Sequence, residues 1–237
     1  MSSVLNKALA KHNRMLIDRI LELSQALWLL AFALYALDVV RLVPTGRLLL
    51  RETSGARFVP VLAAYPFEIA HKELYVAGIL SPWRAAFMAR WSGRVDAQAQ
   101  NVARVDALLQ QLTGLRLASV INFLLLFVVA PVVTSLIGLG GAILVVAPPV
   151  YLFNLCAGVY VLGRRARFNL KPAAAGWLLA DALLCAPYGA NWVKRIARLQ
   201  PELTEDVTQL QARIDAAAFE RLSSVIGLRQ TLGSTER

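Results

Sequence analysis

Histidine and cysteine are almost missing from this chain, which has two of each in 237 residues. With so few nitrogen and sulfur ligands and no Cys-x-x-Cys pair, the sequence argues against a zinc site, and no disulfide framework is expected. Cys156 and Cys185 lie in apolar stretches and are expected as small buried hydrophobes. Glu68 and His71 have the Glu-x-x-His spacing of di-iron bundles, but no second pair accompanies them, so they are read as a polar face. The phosphate-loop pattern, the G-x-S-x-G and Ser-x-x-Lys nucleophile motifs and the N-x-[ST] acceptor are also missing. The expectation is therefore a protein with no catalytic residues, no metal and no cofactor.

Charge is scarce too. Asp, Glu, Lys and Arg make up 17% of the chain against 57% hydrophobic residues. The scarcity is concentrated: from Leu117 to Leu162 there is no charged side chain at all, and only Gly138-Leu139-Gly140-Gly141 interrupts the apolar run. Each arm, Leu117–Ile137 and Ala142–Leu162, matches the roughly 20 residues that a helix needs to cross the hydrocarbon. The run predicts a transmembrane helical hairpin. Asn122 and Asn154 within it are expected to face protein, because an amide has no partner among lipid tails.

The net charge of +10 comes from cations at the edges of apolar runs: Arg116 before the hairpin, then Arg164, Arg165, Arg167 and Lys171 after it. Such placement suits anionic headgroups and argues against a nucleic-acid surface. Lys and Arg number four in residues 1–22, ten in 41–116, none in the hairpin turn and eleven in 163–237. The bias puts the turn outside and its flanks, with both terminal regions, on the cytosol or matrix side of a bacterial inner or organellar membrane. A full crossing by the first helix would conflict with that count, so its depth is left open.

Five segments follow. Residues 1–43 read as an amphipathic helix running into an uncleaved membrane helix, with Leu23–Val43 apolar except for Asp38 and Arg41. Residues 44–116 read as basic interfacial helices. Among them a helix starts at Ser81-Pro82 and carries Trp83, Phe87 and Trp91 at four-residue steps beside Arg84, while residues 94–116 form a further amphipathic helix. Residues 117–162 are the hairpin. Residues 163–200 hold a basic linker and a membrane-associated apolar stretch, Ala173–Trp192, with a break at Pro187; it is read as a fourth span, a re-entrant piece or an interfacial helix. Residues 201–237 form a C-terminal amphipathic helix and tail. The fold class is an all-α integral membrane protein.

Asp38 and Asp181 are each the lone acid of an apolar stretch, and intramembrane acids are costly enough to mark ion or proton paths. The bland alternative pairs Asp38 with Arg41 and Asp181 with Arg165 or Arg167. Trp83, Arg84, Trp91, Arg164, Arg165 and Arg167 are the expected headgroup contacts. The architecture suggests a non-enzymatic subunit that anchors a membrane assembly, with lipid, other membrane subunits or further copies of itself as partners. A small channel or transporter and a membrane-shaping hairpin are the alternatives; a carrier would be expected to show more midplane polarity and a duplication.

Overall fold

A computed structural model describes residues 23–44, 47–53, 57–61, 68–69, 72–76, 78–90, 102–200, 214, 216–217 and 219–220. The expected N-terminal amphipathic helix, Trp91, His71 and most of the C-terminal helix lie outside these residues.

Helix α1 (Leu23–Val39) is shorter than its apolar run. The β-branched pair Val39-Val40 and the following Val43-Pro44 favour extended backbone, and the chain passes directly into strand β1 (Val40–Pro44). This is the first departure from the all-α expectation. Region 44–90 holds strands where interfacial helices were expected: β2 (Arg47–Glu52), β3 (Phe58–Val61), β4 (Glu68–Ile69), β5 (Lys72–Val76) and β6 (Ala86–Arg90). They form two antiparallel sheets, ordered β1-β5-β4 and β3-β2-β6.

The run Leu48-Leu49-Leu50 lies on the central strand of the second sheet. Successive strand residues face opposite ways, yet Leu49 and Leu50 are both buried. Leu49 joins Tyr35 and Val39 in one core, and Leu50 joins Phe58, Phe87, Leu112 and Trp192 in another. A strand covered on both faces reads as continuous apolar sequence. Pro60 sits on edge strand β3, where a missing N–H does least harm.

No helix starts at Ser81. Residues 78–84 make linked turns, with Ser81 N–H bonding Gly78 O and Arg84 N–H bonding Ser81 O, and the chain then joins β2 as β6. A four-residue step keeps side chains on one face of a strand as well as of a helix, so the Trp83–Phe87 spacing could not separate the two.

Helix α2 (Val102–Gln111) turns at Leu112 into α3 (Thr113–Leu124). The first hairpin arm continues as a π-turn over Leu125–Val129, and Ala130 N–H bonds Leu125 O there. Pro131, which has no N–H for the carbonyl four residues back, accounts for the slip in register. Helix α4 (Ala130–Gly163) is interrupted at Gly138, whose φ of 77° is open to glycine at little cost. Here the chain reverses. Asn122 meets Asn154, and Leu126, Ala130, Val146 and Val150 share one cluster, each residue of one arm matched by one equally far from Gly138 on the other. The run Thr113–Gly163 is the one described helix long and apolar enough to span a membrane; α1 and α5 are shorter.

Helix α1 runs antiparallel to the first arm: Tyr35 packs on Phe123 and Phe127, Phe32 on Phe127, and Trp28 on the cluster nearer the bend. Helix α5 (Pro172–Leu184) climbs along the second arm, with Leu179 against Gly158, where a Cβ would collide. It ends at Cys185, before the expected break at Pro187. A 3-10 turn over Ala186–Asn191 then leads back to α6 (Trp192–Arg198) at the foot of the bundle. Residues 173–192 thus form one short helix whose chain turns back on itself, and no second long helix. Cys156 is exposed, against expectation, and Cys185 is half-buried; both are free thiols. From the C-terminal segment, Ile214 is buried and bridges Phe58 in parallel, so at this residue the backbone is extended where an amphipathic helix was expected.

Candidate functional site

At the foot of the bundle, where α1, the hairpin and the returning segment meet the sheets, buried polar side chains collect. The first layer is the Asn pair. Asn122 Nδ2 donates to Asn154 Oδ1 at 2.7 Å and to Gly189 O at 3.3 Å, and Asn154 Nδ2 donates to Ala182 O at 3.1 Å. Both amides are fully buried and face protein as expected. Their partners explain the need: the end of α5 and the turn after it leave buried carbonyls that no helical N–H reaches. Gly189 is required sterically, since a Cβ there would fall on the Asn154 carboxamide.

The second layer joins the two lone acids. Asp38 from α1 and Asp181 from α5 both face Arg195 of α6: Arg195 Nε lies 3.9 Å from Asp38 Oδ1, and Arg195 Nη2 bonds Asp181 Oδ2. Neither local pairing forms. Arg41 is on a strand, beyond the helical i, i+3 geometry, and donates to Lys194 O at 2.8 Å and Ala86 O at 3.4 Å. Arg165 and Arg167 lie in the exposed turn before α5. The Asp38 side chain is 8% exposed and that of Asp181 39%. Arg195 also stacks over the Tyr188 ring at 4.8 Å. Asp38 Oδ2, Asn191 Oδ1 and Arg195 Nη1 are buried without a hydrogen-bond partner.

A third group pins the loop after β5. Lys194 Nζ donates to Gly78 O at 2.7 Å, Tyr35 Oη donates to Ile79 O, and Asn191 Nδ2 donates to Tyr35 O at 3.2 Å. Burial pulls the Lys194 ammonium down to about 7; Asp38 opposes that shift, while Arg41 and Arg51 add to it. Burial likewise lowers Arg41, to about 10, with Arg198 adding and Asp38 opposing.

Sequence reading singled out Asp38, Asp181, Asn122 and Asn154, and the fold gathers all four into this junction. It had Arg41 only as a local partner of Asp38, and it missed Asn191, Lys194, Arg195 and Gly189. Lys194 and Arg195 enter the sequence reading only through the basic count of residues 163–237, and nothing in their spacing reveals inward-facing side chains. Of the expected headgroup contacts, Arg164, Arg165 and Arg167 are exposed in one turn, Arg164 stacking on Tyr160 at 4.6 Å, and Trp83 is exposed with Arg84 half-buried. Among the described residues no group of three or more His, Cys, Asp or Glu side chains could hold a metal ion. No protein-family model, curated protein or solved structure matches the chain.

Proposed function

We propose that this chain is an integral membrane protein whose hairpin crosses the bilayer, with α5 entering and leaving on one side, and that it serves as a non-enzymatic subunit anchoring a larger assembly. One observation carries the membrane reading: only 17% of the most apolar stretch of Thr113–Gly163 is buried. The core helix of a water-soluble protein would hide that surface. Instead Val132, Leu136, Leu144, Leu152 and Val159 face outward, joined by Leu30 and Leu37 of α1 and Trp177 of α5. Contiguous exposed apolar surface of this extent needs lipid or protein to cover it.

Arg164, Arg165, Arg167, Lys171, Lys194 and Arg195 all belong to the foot, opposite the glycine bend, which supports placing the foot and its sheets on the cytosol or matrix side. On this reading the Leu23 end of α1 lies toward the bend. The anchoring role is supported by the small sheets held at the foot, which give another chain a folded surface to dock on outside the apolar bundle. Extraction in mild detergent should recover the chain with stoichiometric partner subunits; recovery as a lone monomer or homo-oligomer overturns that role. Alkaline carbonate should leave it in vesicles, and release into the wash overturns the membrane reading.

A channel or transporter is the second reading, favoured by the re-entrant segment and the unpartnered atoms of Asp38 and Arg195. It requires Asp181→Asn to abolish flux in reconstituted vesicles, and unchanged flux would reject it.

A further inference from the structure

The turns at Gly78–Arg84 form one wall of a shallow groove of about 620 Å3, and Arg51 of β2 forms the other. We propose that this groove binds the phosphate of an anionic lipid headgroup on the foot side of the membrane. The inference rests on the membrane reading above and adds a site to it.

The groove's chemistry suits a phosphodiester. Arg51 and Arg84 both line it, and among the described residues no carboxylate does. Arg51 Nη1 lies beside Gly78 at the wall of the groove. A guanidinium offers a phosphate two donors in a planar fork, a geometry that lysine cannot reproduce. The carboxylate of the neighbouring Glu52 is engaged elsewhere, accepting from Arg116 at 2.8 Å and from Ala85 N–H at 3.2 Å.

The wall is built before any ligand arrives. Gly78 has a φ of 62°, and a Cβ there would lie 2.6 Å from Ser81 Oγ and 3.1 Å from Arg51 Nη1, so glycine lets the guanidinium lie against the turn. Lys194 holds Gly78 O, Tyr35 holds Ile79 O, and the Ser81 hydroxyl donates back to Gly78 O at 3.2 Å. A site whose backbone is fixed in advance loses less ordering entropy on binding.

Position selects a lipid over a dissolved anion. Tyr35, which holds Ile79, packs on Phe123 and Phe127 of the hairpin, so the groove opens where the apolar bundle gives way to the sheets. Beside the two arginines stand Leu80, 75% exposed, and Trp83, 38% exposed. In water such neighbours are poorly solvated; at a bilayer surface the glycerol and upper acyl carbons cover them.

The test uses the full-length chain reconstituted in vesicles of equal parts phosphatidylglycerol and phosphatidylcholine, with retained lipid read by native mass spectrometry. Wild type should retain phosphatidylglycerol over phosphatidylcholine. The double variant Arg51→Gln, Arg84→Gln should lose about tenfold in that occupancy, the scale of two charge-assisted contacts. Arg51→Lys, which keeps charge and stem, should lose severalfold, and Lys72→Gln, an exposed cation outside the groove, should lose nothing. Equal retention of the two lipids by wild type, or unchanged retention by both Arg51 variants, overturns the site. Displacement of phosphatidylglycerol by millimolar inorganic phosphate would assign the groove to a soluble anion and overturn the lipid. A chain that resists carbonate but lacks lipid preference rejects this site alone, whereas one that washes off rejects the membrane reading and the site together.

Discussion

Asn122 on one arm of the hairpin donates a 2.7 Å hydrogen bond to Asn154 on the other, and the two are equally far from Gly138. At 1.5 Å per residue the pair sits about 24 Å from the bend. There it serves the arms and the returning segment at once, because each amide also donates to a carbonyl of residues 182–189.

Asn154→Leu keeps the branching at Cγ, with somewhat more bulk, and removes both contacts, leaving Ala182 O unpaired. A loss of about 1–2 kcal/mol is expected, within the range of interhelical bonds in membranes. Unfolding in mixed detergent and dodecyl sulfate micelles measures it, and a midpoint equal to wild type would show the amides to be redundant.

Arg195 is expected to matter more than either acid. Arg195→Gln strands the Asp38 carboxylate in a nearly closed environment, at about 3 kcal/mol or more. Asp181→Asn should cost less, about 1 kcal/mol, because an amide oxygen can still accept from Arg195 Nη2. Adding Asp38→Asn to Arg195→Gln should restore much of the loss. A double-mutant cycle with no coupling between Asp38 and Arg195 would refute the pairing.

The glycines should separate cleanly. Gly138→Ala forces a side chain into a backbone conformation, φ 77° and ψ 169°, that is essentially reserved to glycine, at about 1–3 kcal/mol. Gly140→Ala meets nothing within 4 Å and has ordinary φ, so it should be neutral. Gly189→Ala collides with the Asn154 amide and should be the most damaging of the three, judged by the same unfolding midpoints.

Stability should depend on pH through Lys194, whose ordinary value of 10.5 is drawn down to about 7 by burial. Below about 7 the amine is charged in both the folded and the unfolded chain, so its burial cost is carried in full and contributes no slope. Between about 7 and 10.5 the folded chain has released a proton that the unfolded chain keeps, so stability rises with pH. Lys194→Met should flatten that rise between pH 7 and 9; an unchanged slope would show the ammonium to be solvated.

The hairpin was legible because its signal is local: an uninterrupted apolar run, a glycine bend, and amides that need partners inside the protein. The sheets were not. Region 44–90 mixes Arg, Glu, His and Pro with short apolar runs, and its one regular spacing, the step of four from Trp83 to Phe87, is shared by helix and strand. The two acids were found through their isolation in apolar sequence, but Arg195 could not be assigned to them. That contact is set by the return of α5 through its 3-10 turn, a long-range event that no window of sequence records.

Synthesis proceeds from the amino end, so Asp38 leaves the ribosome long before its counterion, which belongs to the last described helix. Until Arg195 emerges, the early carboxylate has no lasting partner and α1 has reason to stay loosely placed. The closing of the foot thus waits on translation past residue 195, when the arginine can tie α1 to α6.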